Sequence, residues 1–205
     1  MLPILSTTDS SPTPVVAFDE RALLSRHGAG DKGAFRVLIN KFSNRIYGYL
    51  VRSGVPASER DDLFQDIFFK VHRSAVSYSA DQPLSPWIFT IVVNTTRSHL
   101  RKVGVRKVVE PIDSMDHIES TIVSAARLAE AKETAIFMQD EVMKLSASQR
   151  DVLLLCAVQG LGQSEVATVL EMPLATVKTH LRRARIALAA AIGRRKKTHE
   201  REVGQ

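Results

Sequence analysis

Residues 160–188, GLGQSEVATVLEMPLATVKTHLRRARIAL, decide how this chain is read. Glu165 stands three residues after Gly162, the spacing at which a capping-box carboxylate reaches back to the backbone that opens a helix. Val166, Ala167 and Leu170 follow at helical spacing, so this first helix has one apolar face. Pro173 biases Met172 away from helical geometry and marks a turn. Beyond it, Val177, Leu181, Ala184 and Leu188 recur on one side of a second helix. Lys178, Arg182 and Arg185 fall on another side, flanked by Thr179 and Arg183. This is what a helix-turn-helix requires, with one face packed on its own domain and the other free to enter a major groove. Arginine suits bidentate contact with guanine and with phosphate, and Thr176 and Thr179 are placed to reach phosphate or base edges. A basic surface helix in an ordinary bundle would not need the caps, the turn and the two faces to agree. Taken alone, the stretch implies DNA binding and not what the binding is for.

The whole chain has 205 residues, enough for one or two domains that each bury a core. Lys and Arg outnumber Asp and Glu by 28 to 22, a formal charge of +6 with a pI near 9.7. That excess favours a polyanionic partner without separating DNA, RNA and anionic membrane. One cysteine, Cys156, excludes an internal disulfide and a zinc site built from clustered cysteines. Lying in the apolar run 152–158, it reads as a small buried hydrophobe. No apolar stretch approaches the roughly 20 residues of a membrane span. The N-terminus shows no basic segment ahead of an apolar core, so no signal peptide is expected and the cytoplasm is the expected compartment.

Residues 1–17, rich in Ser, Thr and Pro, read as a disordered extension. Phe35, Leu38, Ile39, Phe42, Ile46 and Tyr49 then recur at spacings of three and four, an amphipathic helix for which Asp31 is the expected cap. Gly54 and Pro56 end it. A second helix is expected from Ser58, as its cap, to Val71, with Leu63, Ile67, Val71, Phe64 and Phe68 buried. Asp62, Gln65, Asp66 and Phe69 fall partly or wholly outside that stripe. Residues 78–86, YSADQPLSP, read as a loop. A largely apolar helix follows from Trp87 and turns basic between Asn94 and Lys102, which suits nucleic acid and equally a solvated C-terminal turn. Residues 103–128 lose periodicity and read as a linker whose last residues are already entering a helix. Ser146 with Gln149 is a further capping-box signature. Residues 194–205 read as a basic, solvated tail. The expected fold is all-α: two helical domains, residues 18–102 and 129–193, joined by a flexible linker at 103–128.

Two separated signatures carry a family resemblance. The C-terminal one is Leu145-Ser146 with Arg150-Asp151-Val152-Leu153-Leu154-Leu155, then Glu165-Val166-Ala167, then Pro173 to Leu181. The N-terminal one is Asp62-Leu63-Phe64-Gln65-Asp66-Ile67-Phe68, followed by Pro86-Trp87-Ile88-Phe89 and Asn94. In this order and at this separation, the chain resembles a bacterial RNA polymerase sigma factor of the sigma-70 family, extracytoplasmic-function (ECF) group. The resemblance implies a region 2 that binds the clamp coiled coil of core RNA polymerase through Asp62, Gln65, Asp66 and Phe69. It also implies that Asn94, Arg97, Arg101 and Lys102 meet the opened −10 element, beside a base pocket at the Tyr78–Ser85 loop. Thr176, Lys178, Thr179, Arg182, Arg183 and Arg185 would contact the −35 element. The partners implied are core RNA polymerase, promoter DNA and an anti-sigma factor, with no small-molecule substrate, cofactor or metal.

The chain departs from the family pattern at Ser98, often Asp, and at Glu171, a turn position usually held by Gly. A left-handed turn residue other than glycine predicts strain at Glu171. The competing reading is a stand-alone helix-turn-helix regulator that binds an operator without polymerase. An enzyme is disfavoured, because the sequence shows no Gly-rich phosphate loop and its six His residues are scattered singly.

Overall fold

The computed structural model describes residues 20–104 and 125–203, so the expected N-terminal extension and most of the expected linker lie outside the described residues. Among the described residues the fold is helical throughout, in two units. The N-terminal unit comprises α1 (Glu20–Gly28), α2 (Lys32–Ser53), α3 (Ala57–Ser74) and α4 (Leu84–Val103). The C-terminal unit comprises α5 (Ala125–Lys144), α6 (Ala147–Leu153), α7 (Gln163–Val169) and α8 (Leu174–Val203).

The apolar stripe of α2 forms the spine of the first unit. Ala34, Leu38, Phe42, Ile46 and Tyr49 are buried along it, against Leu23 and Leu24 of α1, Ile67 and Val71 of α3, and Ile88, Phe89 and Val92 of α4. Asp31 caps α2 as expected, its Oδ1 accepting from the Gly33 and Ala34 amides at 2.9 and 3.1 Å. Gly54 closes α2 with φ +85°. The Val55 amide bonds Leu50 O and the Gly54 amide bonds Val51 O, a Schellman motif that needs the left-handed residue.

Two local expectations are corrected. Ser58 does not cap α3: the helix already begins at Ala57, with Pro56 at the cap position and no side-chain cap bond. Proline's fixed φ and missing amide suit a helix start, so the Gly54–Pro56 break sets the boundary without a hydroxyl. The loop after α3 is shorter than residues 78–86, because α4 starts at Leu84 and takes Pro86 into its first turn. There the amide that proline lacks has no intrahelical partner to lose.

In the C-terminal unit, Ser146 and Gln149 form the expected capping box at the start of α6. This helix runs on through a π-helical turn, Leu154–Val158, before Gly160 at φ +71° releases the chain into α7. Val152, Leu155, Val166, Val169, Val177, Leu181 and Ala184 form the shared core of α6, α7 and α8. Cys156 is only partly buried, on the rim of this core, since the π turn ends the inward-facing run at Leu155. Residues 194–203 continue α8, and Arg195 is tied back to α5, pairing with Glu133 at 2.8 Å and lying over the Phe137 ring at 4.7 Å.

The two units pack on each other, α2 against α5 and α4 against α7, and one apolar cluster runs through both. No described helix is long and apolar enough to cross a membrane.

This packing makes a direct prediction. Phe42 is fully buried and Phe69 is 57% exposed. Phe42→Ala lowers the unfolding free energy in a urea titration by about 3–5 kcal/mol. Phe69→Ala changes it by about 0.5 kcal/mol or less, so any large functional effect at Phe69 is not a stability effect.

Candidate nucleic-acid interface

The helix-turn-helix is built as its sequence spacing requires. Glu165 reaches back to the Gly162 amide at 2.7 Å, holding the start of α7 without a side-chain hydroxyl at the cap. The turn into α8 is a second Schellman motif, in which the Met172 amide bonds Ala167 O and the Glu171 amide bonds Thr168 O. Its left-handed residue is Glu171, with φ +51°, the one non-glycine residue with positive φ among the described residues. The strain expected there is present.

On α8, Val177, Leu181 and Ala184 point into the core. Lys178, Thr179, Arg182, Arg183 and Arg185 are exposed, and Thr176 is half-buried at the helix start. The Thr179 hydroxyl donates to Ala175 O at 2.9 Å, which leaves its methyl group and an oxygen lone pair outward. Lys178 and Arg185 also edge an open groove of about 470 Å³ between α7 and α8, with Cys156, Leu161 and Leu181 along its wall. Burial pushes the Cys156 thiol up from its ordinary value, with Arg185 partly opposing the shift.

A second cationic face lies on α4. Asn94, Arg97, Ser98 and Arg101 repeat at three and four residues and share one side of the helix, with Lys102 beside them. Asn94, Arg101 and Lys102 are exposed, and Arg101 donates to the Ser98 hydroxyl at 3.2 Å. Ser98 therefore spaces a cation where an Asp would pair with one. Arg97 differs from the others. Its Nε and Nη2 sit 2.8 and 2.7 Å from Asp151 Oδ2 on α6, and it is 33% exposed.

The third face is on α3. Asp62, Gln65, Asp66 and Phe69 are all exposed along one stripe, and Arg73 extends it, its guanidinium 5.7 Å from the Phe69 ring. Lys70 pairs with Asp66 at 2.8 Å and also donates to Thr95 of α4 at 3.3 Å. Trp87 is half-buried and packs edge-on against Tyr78 at 5.1 Å, which makes it a wall of the 78–83 loop. The Tyr78 hydroxyl donates to Gln82 O at 2.6 Å and holds that loop closed on itself.

Sequence reading missed the residues that join these faces. Tyr49 was legible only as part of an apolar stripe, yet its hydroxyl donates to Asp151 Oδ1 at 2.9 Å. Burial first, and the Asp151 charge second, hold the Tyr49 phenol protonated well above its usual range. The available signal was that a buried tyrosine hydroxyl needs a partner.

The fold and its faces define a two-unit helical DNA-binding protein with a helix-turn-helix at its C-terminal end. Comparison with family models matches residues 38–105 to Sigma-70 region 2 and residues 138–188 to Sigma-70, region 4. The chain is 30% identical over 186 residues to the ECF RNA polymerase sigma factor SigM of Mycobacterium tuberculosis, covering 88% of this chain and 91% of that one. It is 29% identical over 180 residues to RNA polymerase sigma-H factor of Pseudomonas aeruginosa, covering 84% and 93%. Its fold is similar to that of CnrH, solved in complex with the cytosolic domain of CnrY, with a TM-score of 0.65, 24% identity, and coverage of 85% and 97%. The chain belongs to the sigma-70 family of RNA polymerase sigma factors, in its extracytoplasmic-function group.

Relief of the strained turn is measurable. Glu171→Gly should raise thermal stability by about 1 kcal/mol, since glycine takes a left-handed conformation without the steric cost that other residues meet. An unchanged or lower melting temperature would mean that the Glu171 side chain compensates the strain.

Proposed function

We propose that this sigma factor divides its work among the three faces. The exposed stripe of α3, with Asp62, Gln65, Asp66 and Phe69, docks on the clamp coiled coil of core RNA polymerase. The basic side of α4, with Asn94, Arg97, Arg101 and Lys102, receives the unpaired −10 strand. The outer side of α8, with Thr176, Lys178, Thr179, Arg182, Arg183 and Arg185, reads the −35 element. One observation carries this reading: the acidic stripe and the two basic ones lie on different helices, and the residues of each stripe fall inside a matched family region.

Promoter opening suits these three faces physically. Each base-pair step opened costs about 1.4 kcal/mol of stacking. A protein that hydrolyses no nucleotide offsets this by holding the unpaired strand, with cations along the backbone and a pocket for an extruded base. Arg101 and Lys102 supply the first, and the loop closed by Tyr78 and Trp87 flanks the second. The chain itself does no covalent chemistry, which belongs to the polymerase. Its place of action is the cytoplasm, and an anti-sigma factor is its expected inhibitor. A stand-alone regulator would not need the acidic, phenylalanine-bearing stripe on α3.

Run-off transcription with bacterial core polymerase on genomic fragments tests the whole: new start sites appear only when this chain is added. Asp66→Arg should abolish co-purification with core enzyme while leaving the melting temperature unchanged, and retained binding would remove α3 from the polymerase contact. For α8, a base-reading Arg182→Ala loses about 1–3 kcal/mol of promoter affinity with relaxed preference at one position. A phosphate contact instead weakens all sequences alike and lowers the salt slope by about 1. No effect of Arg182→Ala on promoter variants would exclude it from the interface.

A further inference from the structure

Arg150, at the start of α6, carries a charge that its neighbours answer only in part. Its Nη1 donates to Ser53 O at 3.1 Å and lies 3.2 Å from Met143 Sδ. Its Nη2 donates to Leu145 O at 3.3 Å. All three partners are neutral, and the adjacent carboxylate is already engaged, Asp151 Oδ2 by Arg97 and Oδ1 by Tyr49. Burial draws the Arg150 guanidinium below its ordinary pKa, with the Asp151 charge partly opposing the shift. A lysine or histidine so placed could shed its proton, whereas an arginine stays charged.

The remaining donor of this guanidinium, Nε, is buried and has no hydrogen-bond partner in the protein. Thr96 on α4 is in the same condition: the residue is 1% exposed and its Oγ1 is unpartnered. Both residues line a cavity of about 160 Å³, and the buried Ser53 at the end of α2 lines it with them. Buried polar atoms are almost always bonded, so two orphans facing one cavity mark it as a place where something polar is held.

Charge and size narrow the occupant. The charged side chains in the wall are Arg97, Arg150 and Asp151, two cations to one carboxylate. Water would satisfy the hydroxyls and leave the second guanidinium without a counter-charge. An oxygen of a small anion meets both needs, accepting a charge-assisted bond from Nε and ordinary ones from the hydroxyls. At about 30 Å³ per water the cavity has room for about five, enough for phosphate, sulfate or a short carboxylate. A nucleotide is too large, since pockets for such ligands start at about 300 Å³. Arg97 and Leu100, both part-exposed, stand in the wall and connect the cavity with solvent.

We infer that this cavity is a binding site for a small free oxyanion, held by Arg150 Nε and the hydroxyls of Thr96 and Ser53. Thr96 and Ser53 come from the N-terminal unit and Arg150 from the C-terminal one, so the anion bonds to both. Whatever alters the placement of one unit on the other alters anion affinity, and the anion biases that placement by the same factor.

The test uses the full chain with its arginine side chains labelled with nitrogen-15. It follows the Arg150 Nε–H resonance, assigned by its loss in Arg150→Lys. Sodium phosphate and sodium acetate are titrated separately, with sodium chloride lowered in step to hold the ionic strength constant. The Arg150 resonance should move saturably in the millimolar range in at least one titration. A response to phosphate assigns an inorganic anion, and a response to acetate alone assigns a carboxylate. Thr96→Val, which keeps the side-chain shape and removes the hydroxyl, should weaken that response about tenfold. Ser53→Ala gives a second reading of the same kind if Thr96→Val does not fold. Movement of the α8 arginine resonances with Arg150 unmoved means that anions bind only the outer cations, and overturns the site. No movement of any resonance means a cavity that holds water alone, and overturns it too. An undiminished response in both hydroxyl variants removes Thr96 and Ser53 as ligands and overturns it equally.

Discussion

A carboxylate buried in a protein is tolerated only where its oxygens are bonded and its charge is answered. Asp151 meets both conditions with side chains from the other unit, Tyr49 at one oxygen and Arg97 at the other. The two units have little freedom to slide while this holds, because a shift of one helical turn would strand the charge. Around that point the rest follows. Gly54, left-handed at the end of α2, leaves room for the end of the Met143 side chain, whose terminal methyl would come within 2.4 Å of a Cβ placed there. Arg150, next to Asp151 in sequence, reaches back to the same helix end through Ser53 O.

Within each unit, the sequence was readable wherever a signal was local. The four- and three-residue spacing from Leu38 to Tyr49, the Ser146–Gln149 pair and the Gly162–Glu165 pair each satisfy a backbone rule that closes within a few residues. The left-handed Glu171 was legible only through the family resemblance, as a turn position usually held by Gly. The misplaced start of α3 has the same origin in reverse: Ser58 is a good capping residue, but Pro56 had already fixed φ one residue before the helix. The extension of α8 past Arg194 was hidden because a run of cations looks solvated until Glu133 and Phe137 are known to lie opposite.

The candidate faces were partly legible for a related reason. Asp62, Gln65, Asp66 and Phe69 stand out because they interrupt no apolar stripe, and Lys178, Arg182 and Arg185 because they repeat away from one. Exposure follows from helical phase, and phase is in the sequence. Pairing across 54 residues between Arg97 and Asp151 is not, because no local rule links α4 to α6. A cation read as available from its phase alone was, in the folded chain, already engaged.

The length of α8 has a mechanical consequence. Its 30 residues make a rod of about 45 Å, with the DNA-reading stripe near one end and Arg195 anchored to α5 near the other. Helix α5 is also where the chain re-enters the C-terminal unit after residues 105–124. A displacement of α5 is therefore felt first at the far end of the rod, while Val177, Leu181 and Ala184 hold the reading end in the core. The reading end and the α5 anchor sit on one continuous helix, so the placement of α5 and the angle at which α8 presents its stripe are not independent quantities.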